Sequence, residues 1–133
     1  MTSEELGALG LSAWENFCPG NKVWLMGRVS NSFGVYVIRR NVVFQRTRGA
    51  SDIVYVGSAT NKRGLKGRIS QYFSPGPTQS TNKRILALVS DSQHHQIAWV
   101  ETETKARAVA LEQELIDRYV TDHGQRPPEN LKG

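Results

Sequence analysis

Apolar residues recur at helical spacing in some stretches of the chain and crowd into short β-branched runs in others. Leu65, Ile69, Tyr72 and Phe73 stand at i, i+4, i+7 and i+8, one face of a helix, and Pro75-Gly76-Pro77 stops that helix after two turns. Thr81 or Asn82 can cap a second helix with Ile85, Leu88 and Val89 inward. The longest helical pattern runs from about Glu103 to Thr121 and closes at Gly124, Pro127 and Pro128. Near the first residue, Thr2 and Glu5 have the spacing of a capping box. That predicts a short amphipathic helix to about Asn16, with Leu6, Leu9 and Ala13 inward, ended by Pro19-Gly20-Asn21. Trp24–Met26 is apolar but too short to assign.

Gly34–Arg40 and Val42–Gln45 are rich in β-branched and aromatic residues, as strands prefer. After a turn over Thr47–Asp52, Ile53–Gly57 reads as the return arm of a hairpin, and Gln96–Thr102 as a third strand. Both hairpin arms are apolar on both faces, which suits strands covered by helices on each side. The order of elements predicts an α+β domain: a small three-stranded sheet, hairpin plus third strand, flanked by helices.

At 133 residues and 38% hydrophobic, the chain suffices for one compact domain and one modest core. No apolar run approaches the ~18 residues of a membrane span. The first residues lack the order of a secretion signal, and a single cysteine, Cys18, excludes an internal disulfide framework. A soluble cytoplasmic protein that engages no membrane is expected. Adjacent His94 and His95 would point to opposite faces of a strand, a poor metal pair, and are read as surface residues.

Charge changes the picture. Between Lys22 and Arg84 there are twelve Lys or Arg and one acid, Asp52, a net of +11, whereas the whole chain carries +5. A one-sided block of this size points to a polyanionic partner, either nucleic acid or an anionic surface.

Four side chains stand out, three of them within that block and one, Glu112, in the final helix. Glu112 has Ala108 and Val109 behind it and Leu115 and Ile116 ahead, which sets it within or at the rim of an inward stripe. A carboxylate there is either paired with a cation or functional. Arg68 borders the apolar stripe of its own helix. Tyr36 and Tyr55 sit in the two hairpin strands near Gly34 and Gly57. Glycine within a strand weakens it unless another group comes close.

In combination, Gly34-Val35-Tyr36, Tyr55-Val56-Gly57, Leu65-Lys66-Gly67-Arg68 running to Tyr72-Phe73, Ala110–Ile116 with Glu112, and Pro128-Glu129-Asn130 resemble the GIY-YIG endonuclease family. The resemblance runs from about Phe33 to Asn130, roughly three-quarters of the chain in the family's order. It implies residues 33–133 as a nuclease domain preceded by a helix and extension over 1–32, which have no counterpart in the family. It also implies cleavage of DNA phosphodiester bonds with one divalent metal, Mg2+ or Mn2+. Tyr36 and Tyr55 would then be the motif tyrosines, one of them the general base, and Arg68 the stabiliser of the transition state. Glu112 would be the metal carboxylate, and Asn130 the residue that steadies the site. The gap between the two triplets is longer than the family's, with Arg39–Asp52 absorbing the excess. Ser58 and Tyr72 point to different subfamilies.

The charge map agrees with this resemblance. Arg39, Arg40, Arg46 and Arg48 on the hairpin, and Lys62, Arg63, Lys66, Tyr72, Lys83 and Arg84 about the Arg68 helix, are the expected contacts to a nucleic-acid backbone. The length leaves no room for a specificity domain, so a homodimer or a targeting partner is expected. The alternative is a module of the same fold that binds nucleic acid without cutting it.

Overall fold

The computed structural model describes residues 1–90 and 94–131. Its strands are β1 (Glu15–Asn16), β2 (Gly34–Gln45), β3 (Ala50–Ala59) and β4 (His95–Glu101). Its α-helices are α1 (Lys22–Arg28), α2 (Gly64–Phe73), α3 (Ser80–Val89) and α4 (Lys105–His123). The strands form one antiparallel sheet in the order β1-β4-β2-β3.

β2 lies between β3 and β4, and successive side chains alternate between its two covered faces. Tyr36 and Ile38 point to one face, where they pack with Tyr55, Leu25 of α1, Leu65, Ile69 and Tyr72 of α2, and Ile85 of α3. Val35 and Val37 point to the other, against Ile53, Val56 and the α4 residues Leu111, Leu115, Ile116 and Tyr119. Each such buried side chain is worth about 1.5–3 kcal/mol. A slip of one residue would exchange the two apolar sets, so the double burial fixes the register that places Tyr36 opposite Gly57 and Ile38 opposite Tyr55.

The sheet has four strands, not the expected three, and the extra one lies where a helix was expected. A 3-10 helix over Ser3–Leu9 starts at Thr2, but Gly10 at φ 75° turns the chain off the helical path. Backbone bonds from Ser12 to Trp99 (2.8 Å) and from Phe17 to His95 (2.9 Å) then tie the segment to β4, with Glu15–Asn16 paired between them. Ala13, expected inward, is exposed.

Three smaller corrections concern α1, α3 and His95. α1 occupies the unassigned Trp24–Met26 region. α3 begins after Gln79, whose side-chain oxygen accepts from Asn82, rather than at a Thr81 or Asn82 cap. His94 is exposed as expected, but His95 is buried. The residues that lengthen the family's hairpin form a real extension: β2 pairs with β4 only as far as Arg40, and its pairing with β3 resumes at Phe44 opposite Ser51.

Candidate active site

Tyr36, Tyr55 and Tyr72 converge on the face of the sheet covered by α2. Their ring centroids lie 5.9 Å (Tyr36–Tyr72), 6.2 Å (Tyr36–Tyr55) and 6.5 Å (Tyr55–Tyr72) apart. The Tyr36 and Tyr72 hydroxyls are hydrogen-bonded to each other. The approach depends on Gly57. A Cβ there would stand 2.5 Å from the Tyr36 hydroxyl oxygen and 2.8 Å from the Tyr55 ring, far inside van der Waals contact. The strand glycine is therefore a seat for the two tyrosines.

Arg68 completes the cluster. Its guanidinium carbon lies 5.3 Å from the centroid of the Tyr72 ring, and it donates to Gln71 at 3.3 Å. Burial works against its charge, but the phenols of Tyr36 and Tyr72 hold the guanidinium charged more firmly than usual. Burial pushes the Tyr36 phenol well above its ordinary value; neighbouring Tyr55 adds to this and Arg68 pulls the other way. Tyr72 is raised in the same manner, by burial first and then by the other two tyrosines. Tyr36 and Tyr72 are 0% exposed, whereas Tyr55 keeps 9% on the edge strand. Tyr72 was expected at the nucleic-acid face. Fully buried, it supports Tyr36 instead, and its place in the stripe Leu65-Ile69-Tyr72 was the signal for that.

Asn130 acts on the backbone beside Tyr55. Its side-chain oxygen accepts from the Val56 N–H and its amide donates to the Val56 carbonyl, both at 2.8 Å. This imitates a neighbouring strand along the open edge of β3. Glu112 lies on α4, whose buried residues pack against the other face of the sheet. It is half-buried and, among the described residues, has neither an ion pair nor a hydrogen bond. The salt bridge that sequence left open is thus absent there, whereas neighbouring Glu114 meets Arg107 at 3.5 Å. Among the described residues no three His, Cys, Asp or Glu side chains gather as a metal cage. The chemistry that fits is one carboxylate on a hard cation that keeps most of its waters.

The basic side chains divide into two sets. Arg39 donates to Gln96 (2.6 and 3.0 Å) and Ser3 (3.1 Å) and stacks on Trp14. Arg40 lies over Phe44. Arg46 donates to the Arg126 carbonyl (2.7 Å), and Arg48 to the carbonyls of Val120 (3.5 Å) and Thr121 (2.9 Å). Lys83 donates to the Pro77 carbonyl at 2.7 Å, and Arg84 pairs with Glu129, also at 2.7 Å. Lys62, Arg63 and Lys66 have no side-chain partner among the described residues.

The family model described as the UvrC-like GIY-YIG domain matches residues 33–123. The chain belongs to the GIY-YIG family. This is a nuclease-type family whose domains are generally endonucleases. No curated protein and no solved structure matches the chain. The matched span includes both tyrosine triplets, Arg68, Tyr72 and Glu112; Asn130 and residues 1–32 lie outside it. No helix among the described residues is long and apolar enough to cross a membrane.

Proposed function

We propose that the chain is a metal-dependent endonuclease that hydrolyses phosphodiester bonds of DNA, with residues 33–133 as the nuclease domain and 1–32 as its extension. The supporting observation is the gathering of Arg68 and three tyrosines around Gly57. A guanidinium fork matches two non-bridging phosphate oxygens, and a donor fixed in advance where charge accumulates lowers the barrier. The Tyr72 ring, 5.3 Å from the guanidinium carbon, helps to hold that fork in place.

Tyr55 is the tyrosine that takes the proton of the attacking water, because it alone of the three keeps accessible surface. Tyr36, neutral through burial, holds the cluster together by its bond to Tyr72. Asn130 fixes the strand on which Tyr55 rides. Glu112 would hold magnesium or manganese, and such a cation would supply charge stabilisation for the leaving 3′ oxygen.

The test is nicking of supercoiled plasmid with and without magnesium by the native chain and by Glu112→Ala. Metal-dependent nicking by the native chain and none by the variant is expected. No nicking by the native chain with any metal, or equal nicking by both, overturns the proposal. A second reading, a module that binds nucleic acid without cutting it, draws on the position of α4, which packs on the face of the sheet opposite the tyrosine cluster. It predicts salt-dependent binding that no metal converts to cleavage.

A further inference from the structure

We infer that the nucleic-acid backbone is held in the cleft at the start of α2 by Lys62, Arg63 and Lys66, on the flank of that helix away from Arg68. The inference rests on the nuclease reading for its class of ligand and adds to it where the strand lies. The cleft, about 440 Å³, is lined by these three cations with Asn31, Gly67 and Ser70. None of the three cationic groups has a partner among the described residues. Like charges this close repel one another unless a polyanion compensates them. The rest of the lining is polar or small and offers hydroxyl and amide donors rather than apolar side chains that would enter a lipid surface.

Two features show that the cleft is held open by design of the chain. The first N–H groups of α2 are already satisfied, Leu65 by the Ser32 carbonyl and Lys66 by the Ser30 carbonyl, each at 2.9 Å. The positive character of the cleft therefore comes from side chains, not from a free helix end. The loop that supplies those carbonyls presses on Gly64, which has φ 62°, and a Cβ there would strike the Asn31 carbonyl. Asn31 thus forms a fixed wall, and it comes from the extension that the family model leaves unmatched.

The position also gives a direction. Lys66 precedes Arg68 by two residues, about 200° around a helix about 10 Å wide, so the two groups lie on opposite flanks. Ser70 and Gln71, both half-buried, lie between them on the side away from the core, and Arg63 covers Gly67 there. The three cations therefore address phosphates beside the one that meets Arg68. On the remaining side, the adjoining cleft shares Asn31 and Lys62 but carries Glu101 and Glu103, which turn a polyanion away. The strand runs over the small outer face of α2 toward Arg68.

The experiment measures binding of a fluorescent 20-base-pair duplex by anisotropy in EDTA over a range of salt, so that hydrolysis neither produces nor hides the result. The chains compared are the native one, the triple variant Lys62→Gln, Arg63→Gln, Lys66→Gln, and the hairpin pair Arg46→Gln, Arg48→Gln. Each lost phosphate contact lowers the slope of log K against log salt by about 0.9. The triple variant is expected to lose about 2–3 in slope and about tenfold or more in affinity at 0.1 M salt, with its unfolding midpoint unchanged. The hairpin pair is expected to keep the native slope.

An unchanged slope in the triple variant, or an equal fall in the hairpin pair, overturns the inference. So does binding of the native chain to phosphatidylserine vesicles at physiological salt that falls in the triple variant as much as duplex binding does. If the triple variant loses slope while the native chain nicks no plasmid with any metal, this inference stands and the hydrolytic reading falls. If plasmid is nicked and the slope is unmoved, the reverse holds.

Discussion

Arg46 and Arg48 at the hairpin tip and Lys62, Arg63, Lys66 and Arg68 around α2 belong to one basic stretch of sequence, broken only by Asp52, yet their side chains end in different surroundings. At the tip, the arginines donate to main-chain carbonyls of Val120, Thr121 and Arg126 and strap the extended hairpin to the end of α4. Further hairpin donors reinforce the strap: the Arg48 N–H donates to the His123 carbonyl at 3.0 Å, and Thr47 donates to Gln125 at 2.6 and 2.8 Å. Around α2, three cations have no partner among the described residues, and the fourth is set among phenols. Equal charge density along the chain thus builds a structural clasp in one region and leaves cations uncommitted, the surface proposed for a polyanion, in the other. What separates them is whether a carbonyl lies within reach of the guanidinium fork, whose five donors need acceptors and not only opposite charge.

Cleavage rates separate the two regions most strongly. Arg68→Ala is expected to lower the rate of plasmid nicking by about 10²–10³, the usual cost of losing one donor at a developing charge. Arg68→Lys is expected to restore little, because an ammonium lacks the planar fork. Arg48→Ala is expected to leave the nicking rate within about twofold of the native chain after correction for folded fraction, since surface arginines away from reacting atoms have small effects. A tip variant that lost as much rate as Arg68→Ala would make the hairpin part of the chemistry.

Gly57→Ala perturbs the α2 side through the tyrosine cluster. The added methyl must displace the Tyr36 or Tyr55 ring. Tyr36 is walled in by Tyr72 and the core around Ile69, so relief on its side comes by strain, at about 1–3 kcal/mol. Urea denaturation reads this loss as a lower midpoint at unchanged slope, and nicking is expected to fall with it. An unchanged midpoint would mean that the cluster is not seated as described.

Much of this was legible in the sequence because it depends on local spacing. The two-faced apolar arms, the Leu65-Ile69-Tyr72 stripe and the long final helix are periodic over many residues, and the cores on both faces of β2 follow from them. The triplets around Tyr36 and Tyr55 and the position of Arg68 carried the resemblance, and the family match agrees with it. β1 was not legible: two residues have no period, and their pairing with Gln96 and Ile97 spans about 80 positions. α1 was missed because Val23 and Trp24 face solvent (88% and 59% exposed), which erases the stripe that Leu25 alone cannot make. The commitment of Arg46 and Arg48 was also hidden. Any residue offers a carbonyl, so no pattern of side chains announces that partner. Glu112 shows the complementary limit, since sequence could pose the choice between a paired and a free carboxylate but could not find the pair missing.

Both regions carry a buried phenol, which lets alkaline unfolding weigh one against the other. Burial raises Tyr36 and Tyr72 beside Arg68, and it raises Tyr119 beside Arg46, where Ser51 and Arg46 pull the other way. Each folded phenol holds its proton more tightly than the unfolded one. The resulting stability is complete below the unfolded value of about 10 and is lost as pH rises above it. Unfolding free energy is therefore expected to be flat in this respect to about pH 9.5 and to fall beyond it, by at most about 1.4 kcal/mol per pH unit for each phenol. Tyr36→Phe is expected to flatten that limb more than Tyr119→Phe, because Tyr36 is the more deeply displaced of the two.

The smallest expected effect tests the clasp itself. Arg48 is exposed, and its gain comes from two hydrogen bonds to the last turn of α4. There a cation also faces the negative end of the helix dipole. Water competes for both carbonyls once the guanidinium is gone, so the net loss in Arg48→Ala is about 1 kcal/mol and not the strength of an isolated bond. The His123 side chain, whose Nδ1 lies 2.7 Å from the Arg48 carbonyl, keeps its contact because that acceptor is main chain. Arg48→Lys is expected to recover part of the loss through the dipole, without the second bond. A midpoint unchanged in Arg48→Ala, together with a reduced salt slope for duplex binding, would show the tip arginine to be held for the nucleic acid after all and would erase the distinction between the two regions.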